Sequence, residues 1–86
     1  MPGEEIIFIY VLSNSFNAEK YVGISKSPET RLKQHNSGTN RYTKAFIPWT
    51  IIYLESAVSW EAARKREKYL KSAAGKRFLV KQINSD

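Results

Sequence analysis

The chain has 86 residues, 42% of them hydrophobic and 13% aromatic, with 14 Lys and Arg against eight Asp and Glu for a formal charge of +6. That length bounds it to one domain, residues 1–86, with enough apolar side chain to fold alone, and the charge points to a polyanionic partner, nucleic acid before membrane. The lack of cysteine excludes disulfides and thiolate metal sites, and no apolar run nears the ~20 residues of a membrane span or forms a secretory leader, so a soluble cytoplasmic protein is expected.

Residues 6–12 are seven consecutive apolar residues, rich in β-branched and aromatic types and too short for a typical helix. They read as a central strand covered on both faces. A polar connection over 14–19 leads to a second strand at 20–24, and the two form an antiparallel hairpin. Directly opposed hairpin residues share a face and have a constant index sum, so Tyr10 and Tyr21 lie together only if that sum is odd. Pairing Ser13 with Lys20 meets the condition. It sets Gly23 opposite Tyr10 and Leu12 opposite Tyr21, with open space beside the Tyr10 ring. The plainer reading of such a pair is two rings covering a small core with their hydroxyls in water.

Ser27-Pro28-Glu29 marks a helix start, with Ser27 as N-cap and Pro28 at the first helical position; the helix runs to about residue 36 and Gly38 ends it. Arg31 and His35, four apart, share a face with Leu32 beside them as the inward anchor. That face can fold back over the tyrosine hairpin. Residues 37–48 read as a polar, basic, turn-rich loop, in which Arg41, Tyr42 and Lys44 are candidates for phosphate contact or stacking, with a solvated loop as the alternative. A third strand spans 49–55, where Ile51, Ile52, Tyr53 and Leu54 again suggest burial on both faces.

Ser59 caps a helix over 60–74 whose apolar stripe runs Trp60, Ala63, Leu70, Ala74, with Glu67 in its middle. An ionised, unpaired carboxylate there costs several kcal/mol, so Glu67 needs a cation, a metal or good donors; a structural salt bridge is the alternative. Arg64, Lys65, Arg66, Lys68 and Lys71 occupy the other faces as a broad positive surface, and Arg64, Lys68 and Lys71 are candidate nucleic-acid contacts. Gly75 is expected to end this helix. Residues 76–83 form a last amphipathic helix packed through Phe78, Leu79 and Ile83, and the final three residues fray. A single histidine excludes a multi-histidine zinc site.

Two phenols, a guanidinium, an imidazole and one carboxylate can serve phosphodiester hydrolysis, which needs a base for water, positive charge on the pentavalent phosphate and help for the departing oxygen. Glu67 is a hard oxygen ligand suited to Mg²⁺, which often takes one or two carboxylates plus a substrate phosphate. Arg31 suits bidentate phosphate recognition. A phenol with an ordinary pKa of about 10 is rarely ionised at neutral pH, so cations near Tyr10 are expected to lower its value, with His35 as acceptor or relay.

Phe8-Ile9-Tyr10-Val11-Leu12, Tyr21-Val22-Gly23-Ile24, Arg31-Leu32-Lys33-Gln34-His35-Asn36-Ser37-Gly38 and Arg66-Glu67-Lys68-Tyr69-Leu70-Lys71 together resemble the GIY-YIG nuclease domain, in particular its small stand-alone bacterial members. The resemblance implies an α+β fold, a three-stranded antiparallel sheet flanked by about three helices, and a metal-dependent DNA endonuclease site on one sheet face. It casts Tyr10 as general base, Tyr21 as the tyrosine that orients water or phosphate, and Arg31 as the phosphate-binding arginine. His35 falls to the nucleophile network and Glu67 to the Mg²⁺ (or Mn²⁺) ligand. Phe8 stands where the family has glycine and Val22 where it has isoleucine, both backbone or packing positions. DNA is the expected partner with RNA as the alternative polymer, and a protein partner supplying specificity is expected, since targeting domains usual in the family are not seen here. A nucleic-acid-binding module without catalysis is the alternative function.

Overall fold

The computed structural model describes residues 6–14 and 20–84, except for the side chains of Tyr42 and Asn84. The order of elements is β1 (Ile7–Ser13), β2 (Lys20–Ser25), α1 (Pro28–Asn36), α2 (Arg41–Lys44), β3 (Thr50–Ala57), α3 (Trp60–Lys71) and α4 (Ala73–Asn84). The hairpin connection expected over 14–19 lies, after Asn14, outside the described residues, as do the last two. Among the described residues no helix is long and apolar enough to cross a membrane.

The strands form one antiparallel sheet in the order β2-β1-β3, giving the α+β fold expected. Its middle strand is the apolar β1, whose Ile7, Ile9, Val11 and Leu12 are all sealed from solvent. A strand with neighbours on both edges and layers on both faces has no use for polar side chains. The hairpin register is Tyr10 opposite Gly23, Leu12 opposite Tyr21 and Ser13 opposite Lys20, the expected pairing that meets the parity condition.

β1 divides the core in two. Ile7, Ile9 and Val11 face Ala63 and Leu70 of α3 and Leu79 of α4. Tyr10 and Leu12 face the other way, onto Trp49, with Tyr21, Leu32, Phe46, Ile47 and Ile51 around them. β3 departs from the expected double burial. It is an edge strand, with Leu54 48% exposed. A bulge opposite Val11 and Leu12 pairs Tyr53 with Val11 but Ile51 with Leu12, leaving Ile52 as the extra residue. This lets Ile52 and Tyr53, adjacent in sequence, both pack on the α3/α4 side.

α1 starts and stops where its sequence says, whereas the boundary between the last two helices lies earlier than expected. Ser27 occupies the N-cap position of α1, yet its side chain makes no cap bond; its N–H donates instead to Ser25 Oγ. At the other end Gly38 (φ 84°) donates to the His35 carbonyl and Thr39 to that of Gln34, a Schellman turn. The expected loop over 37–48 contains the helical turn α2, started by Asn40, whose Oδ1 accepts from Thr43 N–H.

The expected helix over 60–74 breaks early, at Ser72, and Gly75 lies inside α4 rather than ending α3. Ser72 Oγ donates to the Tyr69 carbonyl at 2.5 Å and accepts from Gly75 N–H at 3.2 Å, closing one helix and opening the next. The apolar stripe of α3 is correspondingly shorter than expected: Ala63 and Leu70 are buried, while Trp60 and Ala74 are exposed.

α3 is clamped to β3 by charge. Arg66 Nε donates to Glu55 Oε2 at 2.6 Å, and Tyr53 donates to Glu55 Oε1 at 2.5 Å. The same guanidinium lies 5.0 Å from the Tyr69 ring centre and 4.9 Å from that of Phe78. Arg66 is therefore a structural cation and not part of the open positive surface expected of this helix.

Candidate active site

The register of β1 with β2 puts Tyr10 and Tyr21 on one sheet face, ring centres 6.4 Å apart. Gly23 sits across from Tyr10, and the phenol lies over it: a Cβ there would stand 2.5 Å from the Tyr10 hydroxyl. Leu32 seats α1 on this face, which carries His35 to within 4.8 Å of the Tyr21 ring centre and 6.2 Å of that of Tyr10. Both Tyr10 and His35 are about 1% exposed.

These groups form a hydrogen-bonded chain. Tyr10 Oη is 3.3 Å from His35 Nε2, and His35 Nδ1 is 2.8 Å from Thr43 Oγ1. Thr43 is itself buried, and its carbonyl accepts from Trp49 Nε1 at 2.9 Å. Asn36 binds the backbone of Trp49 twice, accepting its N–H at 2.7 Å and donating to its carbonyl at 3.0 Å. The Asn14 amide donates to the Phe46 carbonyl. Buried polar groups need such partners, and here they fasten the 37–49 segment against α1 and so hold the His35 ring.

None of Thr43, Asn36 and Asn14 stands out in the sequence as a site residue.

Burial pushes the Tyr10 phenol above its ordinary value of 10; the Arg31 guanidinium beside it pulls the other way, and the Tyr21 phenol and Glu67 carboxylate add to the rise. The direction is opposite to that expected from nearby cations. Desolvation of the phenolate outweighs one arginine. His35 is lowered from 6.5, first by burial and then by the Arg31 charge, so its ring is neutral at neutral pH.

A neutral buried histidine makes stability depend on pH. Between the unfolded value near 6.5 and the lower folded value the unfolded chain binds more protons, so His35 supports the fold fully above pH 6.5 and that support is lost as pH falls through its folded value. Melting temperatures followed from neutral to mildly acidic pH should fall more steeply for the wild type than for His35→Gln. Parallel curves would show that His35 is not held neutral.

Glu67 projects from α3 at the margin of the packed face, its side chain 24% exposed, and pairs with Lys71 Nζ at 3.0 Å. It is not the sealed carboxylate that the centre of the stripe implied. Its charge is nevertheless felt at Tyr10. A partly open carboxylate that already attracts an exposed ammonium is suited to exchange it for a hard divalent ion, with phosphate and water completing the shell. Among the described residues no three His, Asp or Glu side chains gather as a metal cage.

The nucleic-acid candidates are scattered. Arg41 and Lys44 are exposed on α2; the Tyr42 side chain lies outside the described residues. Arg64 stands over the Trp60 ring at 5.8 Å, Lys68 is exposed, and Lys71 is engaged by Glu67.

Residues 6–82 match the family model of the GIY-YIG catalytic domain, and the chain belongs to the GIY-YIG family, a nuclease superfamily whose members generally act on DNA with divalent metals. It is 37% identical over 79 residues to a UPF0213 protein of Syntrophus aciditrophicus (strain SB), an alignment spanning 87% of this chain and 90% of that one. No solved structure matches.

Proposed function

We propose that this chain, as a single domain, is a divalent-metal-dependent DNA endonuclease. The observation that carries the reading is the convergence of Tyr10, Tyr21, Arg31 and His35 on one sheet face, with Glu67 close enough to act on Tyr10. Arg31 binds the phosphate and offsets the charge that builds on it in the transition state. Tyr10 takes the proton of the attacking water. With His35 Nδ1–H donating to Thr43, Nε2 is left to accept the phenolic proton, so Tyr10 need not exist beforehand as a phenolate. Tyr21 orients water or phosphate beside it. Glu67 would hold Mg²⁺ or Mn²⁺, which supplies positive charge for the departing oxygen.

A second reading, a nucleic-acid-binding module without catalysis, draws on the burial and raised pKa of Tyr10. Purified protein incubated with labelled branched, single-stranded and duplex DNA, with Mg²⁺, Mn²⁺ or EDTA, separates the two. The nuclease reading expects cutting with metal and none in EDTA. Salt-sensitive binding that never leads to cutting would favour the module.

A further inference from the structure

The charge of this chain is unevenly placed. Residues 59–86 hold eight of the 14 Lys and Arg and three of the eight Asp and Glu, and so five of the six net positive charges. The first 58 residues, which supply the sheet, α1 and α2 with Tyr10, Tyr21, Arg31 and His35, have six Lys and Arg against five Asp and Glu. Nearly all of the charge that points to a polyanion therefore belongs to the helical layer of α3 and α4 and not to the chain around the phenols.

α4 carries its share on one side. Phe78, Leu79 and Ile83 turn inward to the core built on Ile7, Ile9 and Val11, whereas Lys76, Arg77, Val80 and Lys81 are exposed. That core lies on the sheet face opposite Tyr10. Among the described residues Lys76, Arg77 and Lys81 have no carboxylate within ion-pair distance; Arg66 is held by Glu55 and Lys71 by Glu67. Exposed cations clustered on one side of a helix are the footprint expected for backbone phosphates. A membrane fits less well. The apolar stripe of α4 is buried in the core and Val80 is the large hydrophobic it exposes, so no apolar face is left to enter lipid.

We infer that the outer side of α4, through Lys76, Arg77 and Lys81, is a surface that binds nucleic-acid backbone and is separate from the candidate active site. It stands about a helix diameter, roughly 10–12 Å, behind the sheet. A straight strand lying across Tyr10 and Arg31 on the front face does not touch it, so it holds a different segment of the polymer. Contacts of this kind position the polymer and read no base. The surface stands on charge and packing alone and does not depend on the nuclease reading.

The test measures binding of a fluorescein-labelled DNA duplex in EDTA over a salt series, with melting curves as a check on folding. Lys76→Gln, Arg77→Gln and Lys81→Gln are combined in one variant. Lys20→Gln, Lys26→Gln and Lys33→Gln, at exposed positions of the first 58 residues, make a second that loses the same charge. The α4 variant should bind about a hundredfold more weakly at about 0.1 M salt, whatever the DNA sequence, and the slope of log affinity against log salt should shrink by about two to three, at about 0.9 per phosphate contact. The second variant should lose no more than about fivefold, the effect of net charge. Where cutting is seen, the α4 loss should appear in KM with kcat kept. Equal losses in the two variants overturn the surface, because net charge alone then explains both. Unchanged DNA binding in the α4 variant overturns it too and leaves the nuclease reading standing; if that variant has instead lost binding to phosphatidylserine vesicles, the surface belongs to a membrane. Wild type that binds but never cuts removes the nuclease reading alone, and the comparison of the two variants still decides the surface.

Discussion

Glu67→Gln should lower metal-dependent cleavage about a thousandfold while metal-free DNA binding is retained or slightly tightened. The substitution keeps the shape of the side chain and removes only its charge. Because Glu67 is partly exposed at the margin of α3 and paired with the exposed Lys71 ammonium, the substitution costs about as much as a surface ion pair, and the melting temperature should hardly move. Arg31→Ala makes the complementary case. It removes the guanidinium that acts on Tyr10, so cleavage and binding should fall together, and the Tyr10 phenol should rise further. Full activity in both variants would refute the assignment. A loss in Arg31→Ala alone would keep a phosphate site and discard Glu67 as metal ligand.

Gly75→Ala should destabilise the protein by about 1–3 kcal/mol, against the ordinary preference for alanine in helices, which is worth about 1 kcal/mol in the other direction. Gly75 sits in the first turns of α4, where that turn crosses the end of α3, and it is buried. A Cβ there would collide with the Tyr69 carbonyl oxygen and the Leu70 Cα, both backbone atoms that no rotamer change can move. The melting temperature should drop on the order of 10 °C for a domain of this size. Ala74→Gly, one residue earlier on an exposed position, is the control and should cost about 1 kcal/mol. A Gly75→Ala variant more stable than wild type would show that α3 and α4 do not approach so closely.

Much of the site's framework was legible because it follows from rules of short range. Side-chain alternation is strict, so the condition under which Tyr10 lies beside Tyr21, an odd index sum, and a register that meets it could be written from indices. The spacing of Arg31 and His35 on a helix opened by Pro28 is equally local. So is the capping of α3 by Ser59, whose side chain accepts from Ala62.

What the chain's order of residues could not disclose depends on which elements end up in contact. Thr43 becomes the partner of His35, and Asn36 that of Trp49, only because α2 and the start of β3 close over α1. β3 reads as buried by its apolar run, yet topology makes it an edge. Arg66 reads as surface charge, yet Glu55, 11 residues earlier, captures it. The sign of the Tyr10 shift turned on the same distinction. Nearby positive charge is visible in sequence, but the loss of water around the hydroxyl is a property of the packed face, and here that loss is the larger effect.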